Sequence, residues 1–313
     1  MKYEHIVRAV FGEPWAILPA MYATICEIVL YRADGGTLTA EEIQARLGAQ
    51  PVRAGAGRSG AIAVLPLYGV ISQRMSLMTQ ASGGTSTEQF GAAFQAQLAD
   101  PAVSAIVIDI DSPGGSVYGV EELWATIFRA RGQKPVVAVA DSMAGSAAYW
   151  IASAADEIVV TPSGEVGSIG VLAEHIDMSA AAEQAGIKTT LVTAGQFKGE
   201  GHPAFPLSTE ALGALQGRVN AYYDTFLAGV AKGRGVPAAT VRSDFGQGRM
   251  VGAKDAVAAG MVDRVGTLQE TIDRLMGRKA QAGARAEVES APVQAQDDGD
   301  AERRQRRLRL LGR

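Results

Sequence analysis

The sequence predicts an α/β fold built around a mainly parallel β-sheet. Short apolar runs rich in β-branched residues alternate with segments of helical periodicity between residues 61 and 278. Strands buried on both faces by helices carry such runs, and repeated β-α alternation favours right-handed crossovers. With 313 residues, 47% of them hydrophobic, the chain is long enough to bury one substantial core.

Six runs are predicted strands: 61–67, 103–110, 135–140, 156–160, 167–172 and 187–193. Seven segments are predicted helices: 87–99, 118–131, 145–154, 177–185, 208–232, 253–259 and 267–276. Composition predicts an N-terminal extension over 1–60, a central α/β domain over 61–278 and a disordered tail over 279–313. The tail ends in a basic tip.

The strand over 103–110 leads into a glycine turn that could bind an anion. After Pro113, the pair Gly114 and Gly115 permits positive φ and close approach of a ligand to bare amides. Because a helix follows, these amides would lie near its N-terminus, where negative charge is stabilised. An ordinary strand–helix turn explains the same residues equally well.

The strand over 135–140 leads to a serine at the start of an apolar helix. Ser146 would gain from the helix dipole when its oxygen becomes anionic, and the Ala147 amide could join the glycine amides as an oxyanion donor. The ordinary alternative for such a serine is helix capping. Ala144 and Ala148 replace the glycines of a Gly-x-Ser-x-Gly nucleophile elbow.

A nucleophilic serine needs a base, and the chain holds three histidines, His5, His175 and His202. His202 is the best placed of them, although no orienting carboxylate is obvious. Lys198, in a glycine-flanked loop, is the alternative. A lysine acts as a base only when neutral, which requires burial to lower its pKa from about 10.4. A solvated loop lysine is the ordinary alternative, but the order of the motifs favours catalysis.

Together the motifs resemble the SppA (signal peptide peptidase A) family of serine–lysine peptidases over about residues 61–276. The matching segments are Ser112-Pro113-Gly114-Gly115, Gly145-Ser146-Ala147-Ala148-Tyr149, Gly167-Ser168-Ile169-Gly170 and Gly195-Gln196-Phe197-Lys198. The common family form around the nucleophile is Ala-Ser-Gly-Gly-Tyr. Because alanine also supplies a backbone N–H, this departure should alter packing more than mechanism.

The resemblance implies a crotonase/ClpP-like version of the α/β fold and a role for each matching residue. Ser146 would be the nucleophile and Lys198 the general base, and Ser168 would help to hold the lysine. Gly114 and Gly115 would line the oxyanion hole. The family prefers small or apolar side chains before the scissile bond, so we expect cleavage in Ala-, Val- or Leu-rich segments, with the chain's own Ala/Gln-rich tail near 280–297 as a candidate for self-cleavage.

The N-terminal extension narrows the resemblance. Pro14-Trp15-Ala16-Ile17-Leu18-Pro19 and the mixed segment after it look like the front of phage minor capsid (protein C type) proteases. That branch matures procapsids by cleaving scaffold or portal-associated proteins. The serine motif and the lysine motif each occur once, and Ser146 and Lys198 are 52 residues apart. In this the chain resembles the half-length members of the family, which implies a ring-like homo-oligomer whose sites are shared between neighbouring subunits. A dyad within one chain is the alternative.

Composition excludes several function classes. A net charge of −4 gives no general attraction to nucleic acid, although the basic tip around Arg303–Arg309 could contact a capsid, scaffold or DNA surface, or be a solvated tail. The single cysteine, Cys26, excludes an internal disulfide and fits a reducing cytoplasm. No metal or other cofactor is expected. The apolar stretch from Trp15 to Tyr31 is interrupted by Pro19 and Glu27, so neither a membrane span nor a signal peptide is predicted.

Three other functions remain open at this point. A soluble bacterial signal-peptide-peptidase-like protease would share every motif. An acyl-CoA hydratase or isomerase of the crotonase type would share the fold and the glycine turn, but such enzymes usually act through carboxylates, and none closely flanks Ser146. A structural head component with a decayed site would not need both Ser146 and Lys198.

Overall fold

The computed structural model describes residues 10–47, 57–74 and 84–277. Residues Met1–Leu275 belong to one compact unit and Met276–Arg313 to a second. Of the second unit, only the two residues that end the last helix are described. The predicted tail over 279–313 and its basic tip therefore lie outside the described residues.

The described strands are β1 (Trp15–Ile17), β2 (Gly57–Ser59), β3 (Ile62–Tyr68), β4 (Ile71–Ser72), β5 (Thr85–Ser86), β6 (Ala105–Ser112), β7 (Gly114–Ser116), β8 (Val136–Gly145), β9 (Glu157–Val160), β10 (Glu165–Gly167), β11 (Met250–Gly252) and β12 (Arg264–Val265). The helices are α1 (Pro19–Ala33), α2 (Ala40–Arg46), α3 (Thr87–Ala99), α4 (Val120–Arg129), α5 (Ala147–Ala152), α6 (Ser179–Gln184), α7 (Thr209–Arg234), α8 (Ala238–Asp244), α9 (Ala253–Ala258) and α10 over 268–277.

The larger sheet has the order β11-β10-β8-β6-β3-β2, with β9 and β12 continuing beside the first half of β8. All its pairs are parallel except β2 with β3 and β10 with β11. On the side of β8 away from β6, β9 pairs with its first half and β10 with its second half. The C-terminal end of β8 therefore lies between β6 and β10. The predicted α/β fold with mainly parallel sheets and flanking helices is confirmed.

The smaller sheet has the order β1-β7-β4-β5 and begins where β6 leaves the larger one. The register of β6 against β8 shifts between Ile110 and Ser112, and such an irregularity redirects a strand. The chain then forms β7 with Gly114 and Gly115. The predicted glycine turn is thus a short strand, since β1 and β4 supply pairing partners on both of its sides.

Helix α5 lies in the main core, where all six of its residues are buried. Helix α7 packs against it, with the Trp150 and Phe226 rings stacked at 4.7 Å between centroids. Gly229 and Gly233 permit this approach, because a Cβ on either would collide with Trp150 or with the backbone of Ser153. The residue that precedes α5, Ser146, is therefore fixed by the core.

All seven predicted helices are present, with ends within two residues of the prediction. The predicted strand over 187–193 is wrong, because these residues are exposed and pair with no strand in the described part of the chain. The predicted strand over 167–172 is shorter and earlier, as β10. Among the described helices, none is long and apolar enough to cross a membrane.

Candidate active site

Ser146 lies at the junction of β8 and α5 with φ of 52° and ψ of −114°. A positive φ in a non-glycine residue is uncommon, and such strain clusters at functional sites. Hydrogen bonds hold the backbone on both sides: the Ser146 amide donates to the Gly167 carbonyl at 2.7 Å, and its carbonyl accepts from the Trp150 amide at 2.9 Å. The backbone is thus locked in a conformation that sets the direction of the serine side chain.

Ser168 lies beside Ser146 on the neighbouring strand. Gly167 is in register with Gly145, so the two serines are the next residues along adjacent parallel strands. Ser168 also has a positive φ, of 53°, and its amide donates to the Arg249 carbonyl at 2.8 Å. Two strained and buried serines therefore meet at the C-terminal edge of the larger sheet.

The glycines of β7 approach the same point from the other side. A Cβ built on Gly114 would lie 3.0 Å from the Cβ of Ser146, so the bare Cα of Gly114 faces the serine. The Gly114 amide donates to the hydroxyl of Ser112 at 3.2 Å, and that hydroxyl donates to the Gly69 carbonyl at 2.6 Å. The Ser112 hydroxyl thus links β7 to the Gly69 carbonyl, a role that the sequence pattern does not indicate.

Ala147 completes the group of backbone donors near the serine. As the first residue of α5 it is fully buried, and its amide has no acceptor one turn earlier in the helix. The Ser146 hydroxyl donates to the Gly170 carbonyl at a long 3.4 Å, and the whole residue has 0% exposure. The structure therefore brings together Ser146, Ala147, Ser168, Gly114 and Gly115.

Lys198 does not join this group within the chain. Its side chain is exposed, and it borders a pocket of about 250 Å³ together with Phe11, Leu30 and His175. Its amide donates to the Gly195 carbonyl at 3.1 Å, and within the described ranges no hydrogen bond links it to Ser146.

Neither of the two described histidines offers a better base inside the chain. The Nδ1 atom of His202 accepts from the Ala204 amide at 3.2 Å, so this nitrogen is used within its own turn. His175 has a buried Nε2 atom without a hydrogen-bond partner among the described residues, and it borders the pocket of Lys198 rather than Ser146. His5 lies outside the described residues.

We expect Gly115→Ala to damage both stability and activity, because a Cβ on Gly115 would overlap the backbone of Ile71 on β4. A backbone clash cannot be relieved by rotating a side chain, so we expect a loss of about 2–4 kcal/mol in the free energy of unfolding. Chemical denaturation and a peptidase assay would measure the two effects.

Gly217→Ala is the matched control for that substitution. Gly217 lies inside α7, where a Cβ would have nothing within 4 Å. Alanine in a helix interior is favoured over glycine by about 0.5–1 kcal/mol, so this variant should be slightly more stable and equally active. Equal stability of the two variants would contradict the close approach of β7 and β4.

Comparison with known proteins identifies the family. Residues 129–282 match peptidase family S49. The capsid assembly protease C of Escherichia phage lambda is 32% identical, over 93% of this chain and 71% of that protein. The head-tail preconnector protein GP5 of Enterobacteria phage P21 is 31% identical, over 83% of this chain and 54% of that protein. A ClpP1 mutant from Listeria monocytogenes is similar in structure, with a TM-score of 0.41 and 15% identity, over 66% of this chain and 92% of that one.

The fold and the family match together define an α/β peptidase. The chain belongs to peptidase family S49, and it is similar to phage capsid proteases over most of its length. Since the match is to a peptidase family, the alternative of a crotonase-type acyl-CoA enzyme is set aside.

Proposed function

We propose that this chain is a serine endopeptidase that uses Ser146 as nucleophile and Lys198 as general base. The observation that carries the proposal is the strained Ser146 at the start of a buried helix, with glycine backbone on one side and Ser168 on the other. A capping serine would need a side-chain bond to the first turn of α5, and Ser146 makes none.

The chemistry follows from these groups. A neutral Lys198 takes the Ser146 proton as Oγ forms a bond to the substrate carbonyl carbon, and the amides of Gly115 and Ala147 stabilise the resulting oxyanion. Collapse breaks the C–N bond, and the protonated lysine returns its proton to the leaving amine. Water then hydrolyses the acyl-serine by the same proton path. Ser168, beside the nucleophile, would orient the lysine amine.

The lysine comes from a neighbouring copy of the chain in this proposal. Ser146 is fully buried, whereas Lys198 is exposed on a segment that also exposes large apolar side chains. Val192 is 90% exposed and Phe197 50%. Contiguous apolar exposure is typical of an interaction surface, and head-to-tail contacts between copies close into rings. The segment around Lys198 would thus dock on the next subunit.

Protein substrates of a phage capsid are the favoured class. Two relatives are named as a capsid assembly protease and a head-tail preconnector protein, and both align with this chain over more than four-fifths of its length. We therefore infer cleavage of scaffold or other head proteins in the host cytoplasm. Co-production with head proteins, compared between the active chain and Ser146→Ala, would reveal new protein termini by mass spectrometry only with the active chain.

The reaction class is tested by covalent labelling. A fluorophosphonate reacts with an activated serine, so prolonged incubation should add one label, at Ser146, as located by peptide mass spectrometry. A structural head component with a decayed site would remain unlabelled. A label on another serine would identify that serine as the nucleophile instead of Ser146.

The base is tested by three substitutions. Lys198→Ala and Lys198→Arg should each lose more than about 100-fold in kcat/KM, because general-base catalysis is typically worth 10²–10⁴-fold and a guanidinium does not deprotonate in proteins. His202→Ala should keep most of the activity, since its Nδ1 atom serves a local turn. The reverse pattern would assign the base to His202.

A further inference from the structure

The strand that carries the predicted oxyanion amides has no free edge. Strand β7 pairs with β4 on one side and with β1, from the N-terminal extension, on the other. The β1 pairing is antiparallel and places Trp15 opposite Ser116, Ala16 opposite Gly115 and Ile17 opposite Gly114. Peptides commonly bind proteins by adding a strand to a sheet edge, and here the chain itself fills that edge.

The other edge of β1 is also occupied. Trp15 and Leu172 exchange two backbone hydrogen bonds, of 2.8 and 2.9 Å. Leu172 lies two residues after Gly170, whose carbonyl accepts the hydrogen bond of the Ser146 hydroxyl. Strand β1 therefore lies between β7 and Leu172 and is hydrogen-bonded to both.

The ladder directs one carbonyl at the predicted oxyanion donors. The Leu18 amide donates to the Pro113 carbonyl at 3.0 Å, and the Val117 amide donates to the Pro14 carbonyl at 3.4 Å. Hydrogen-bonded pairs alternate along an antiparallel ladder, so the Ala16–Gly115 pair, midway between these bonds, is also hydrogen-bonded. The Gly115 amide thus faces the carbonyl of Ala16.

The same carbonyl lies close to the nucleophile. A Cβ on Gly114 would overlap the Ala16 oxygen and would also lie 3.0 Å from the Cβ of Ser146. The Ala16 oxygen and the Ser146 Cβ therefore both lie beside the Cα of Gly114. Ser146 has 0% exposure with the segment in place.

We propose that Trp15–Leu18 is a built-in inhibitory strand, which occupies the substrate position and must leave before a protein substrate can reach Ser146. This inference rests on the proposed role of Ser146. The strand is held by a cluster of its own: Trp15 donates from Nε1 to the Val10 carbonyl at 2.9 Å and packs on Tyr22 of α1, with ring centroids 5.9 Å apart. Because it is part of the same chain, it competes with substrate at high effective concentration.

A reversible disulfide tests whether the strand must move. A hydrogen-bonded antiparallel pair has Cα atoms about 5.5 Å apart, within disulfide range. Trp15→Cys with Leu172→Cys, in a Cys26→Ser background, would lock the strand when oxidised and loosen it when reduced. We expect casein hydrolysis by the oxidised form to be at least about 10-fold slower than by the reduced form. Cys26→Ser alone, treated identically, should not respond. Equal rates of the locked and reduced forms would overturn the proposal.

A second measurement does not depend on catalysis. In Ser146→Cys with Cys26→Ser, the new thiol lies under the strand, so iodoacetamide should modify it slowly. Adding Trp15→Ala removes the anchor of the strand, and we expect alkylation of the thiol to accelerate at least about 10-fold. As controls, circular dichroism should show that both variants are folded, and the two variants should be alkylated at equal rates in denaturant. An unchanged rate would show that the strand does not gate the site. If alkylation accelerates but the unsubstituted chain hydrolyses no substrate, the strand still covers residue 146, and the proposed function is rejected.

Discussion

Ser146→Ala should reduce hydrolysis of a protein substrate by at least about 10⁴-fold, because removing a nucleophile from a serine peptidase eliminates the covalent path and leaves only binding and oxyanion contributions. Stability should change by less than about 1 kcal/mol, since the one hydroxyl bond lost is long, at 3.4 Å, and the Cβ facing Gly114 remains. Casein cleavage and thermal unfolding would measure the two quantities separately.

Ser153→Ala supplies the matched control at the other end of α5. Ser153 is equally buried, but its hydroxyl donates to the Trp150 carbonyl at 2.6 Å and accepts from the Trp124 indole at 3.0 Å. Its loss leaves a buried indole N–H unpaired, so this variant should lose about 1–3 kcal/mol of stability and keep its activity. Activity lost in Ser153→Ala and retained in Ser146→Ala would refute the assignment.

Much of this site could be predicted from local sequence. Each predicted element near Ser146 depends on short-range signals: a β-branched run, then small residues, then a helical apolar pattern. Parallel strands also place their C-terminal ends at one edge, which is why residues from separate motifs, such as Ser146 and Ser168, meet there. These signals are contained within about ten residues each, and the structure follows them for β6, β8 and α5, whereas the strand predicted over 167–172 already ends at Gly167.

The N-terminal strand could not be predicted in the same way. Trp15–Ile17 is only three residues long and continues into an apolar helix, so its periodicity is indistinguishable from that of α1. Its strand conformation comes from pairing with Gly114–Ser116, about 100 residues later in the chain. The flanking prolines, Pro14 and Pro19, were the available signal, since the residue before a proline favours extended backbone.

The same dependence on distant partners explains the failed strand over 187–193. Its residues have β-forming character, but β-propensity measures how well side chains pack on neighbouring strands. Among the described residues of the single chain this segment has no such neighbour, and Val192 is 90% exposed. A second copy of the chain is what the proposed function places there, and a single sequence contains no direct signal of that contact.

Mixing two inactive variants should therefore restore activity. Ser146→Ala keeps Lys198, and Lys198→Ala keeps Ser146, so a site formed between neighbouring subunits is complete wherever the intact serine meets the intact lysine. With random assembly of equal amounts, about one site in four has both groups, and we expect about a quarter of the wild-type rate. Each variant alone should stay below about 1% of that rate.

The mixing experiment needs proof that subunits exchange. Native mass spectrometry of one isotopically labelled variant with its unlabelled partner would report mixed assemblies directly. Adding Ser146→Ala and Lys198→Ala together in one chain provides the matched control, because it dilutes a wild-type partner without contributing either group. Full mixing with no recovery would place the dyad within one chain, which would require the segment around Lys198 to move from its exposed position to the buried serine. Recovery would instead explain why a folded single chain keeps its nucleophile and its base apart: hydrolysis begins only in the assembled ring.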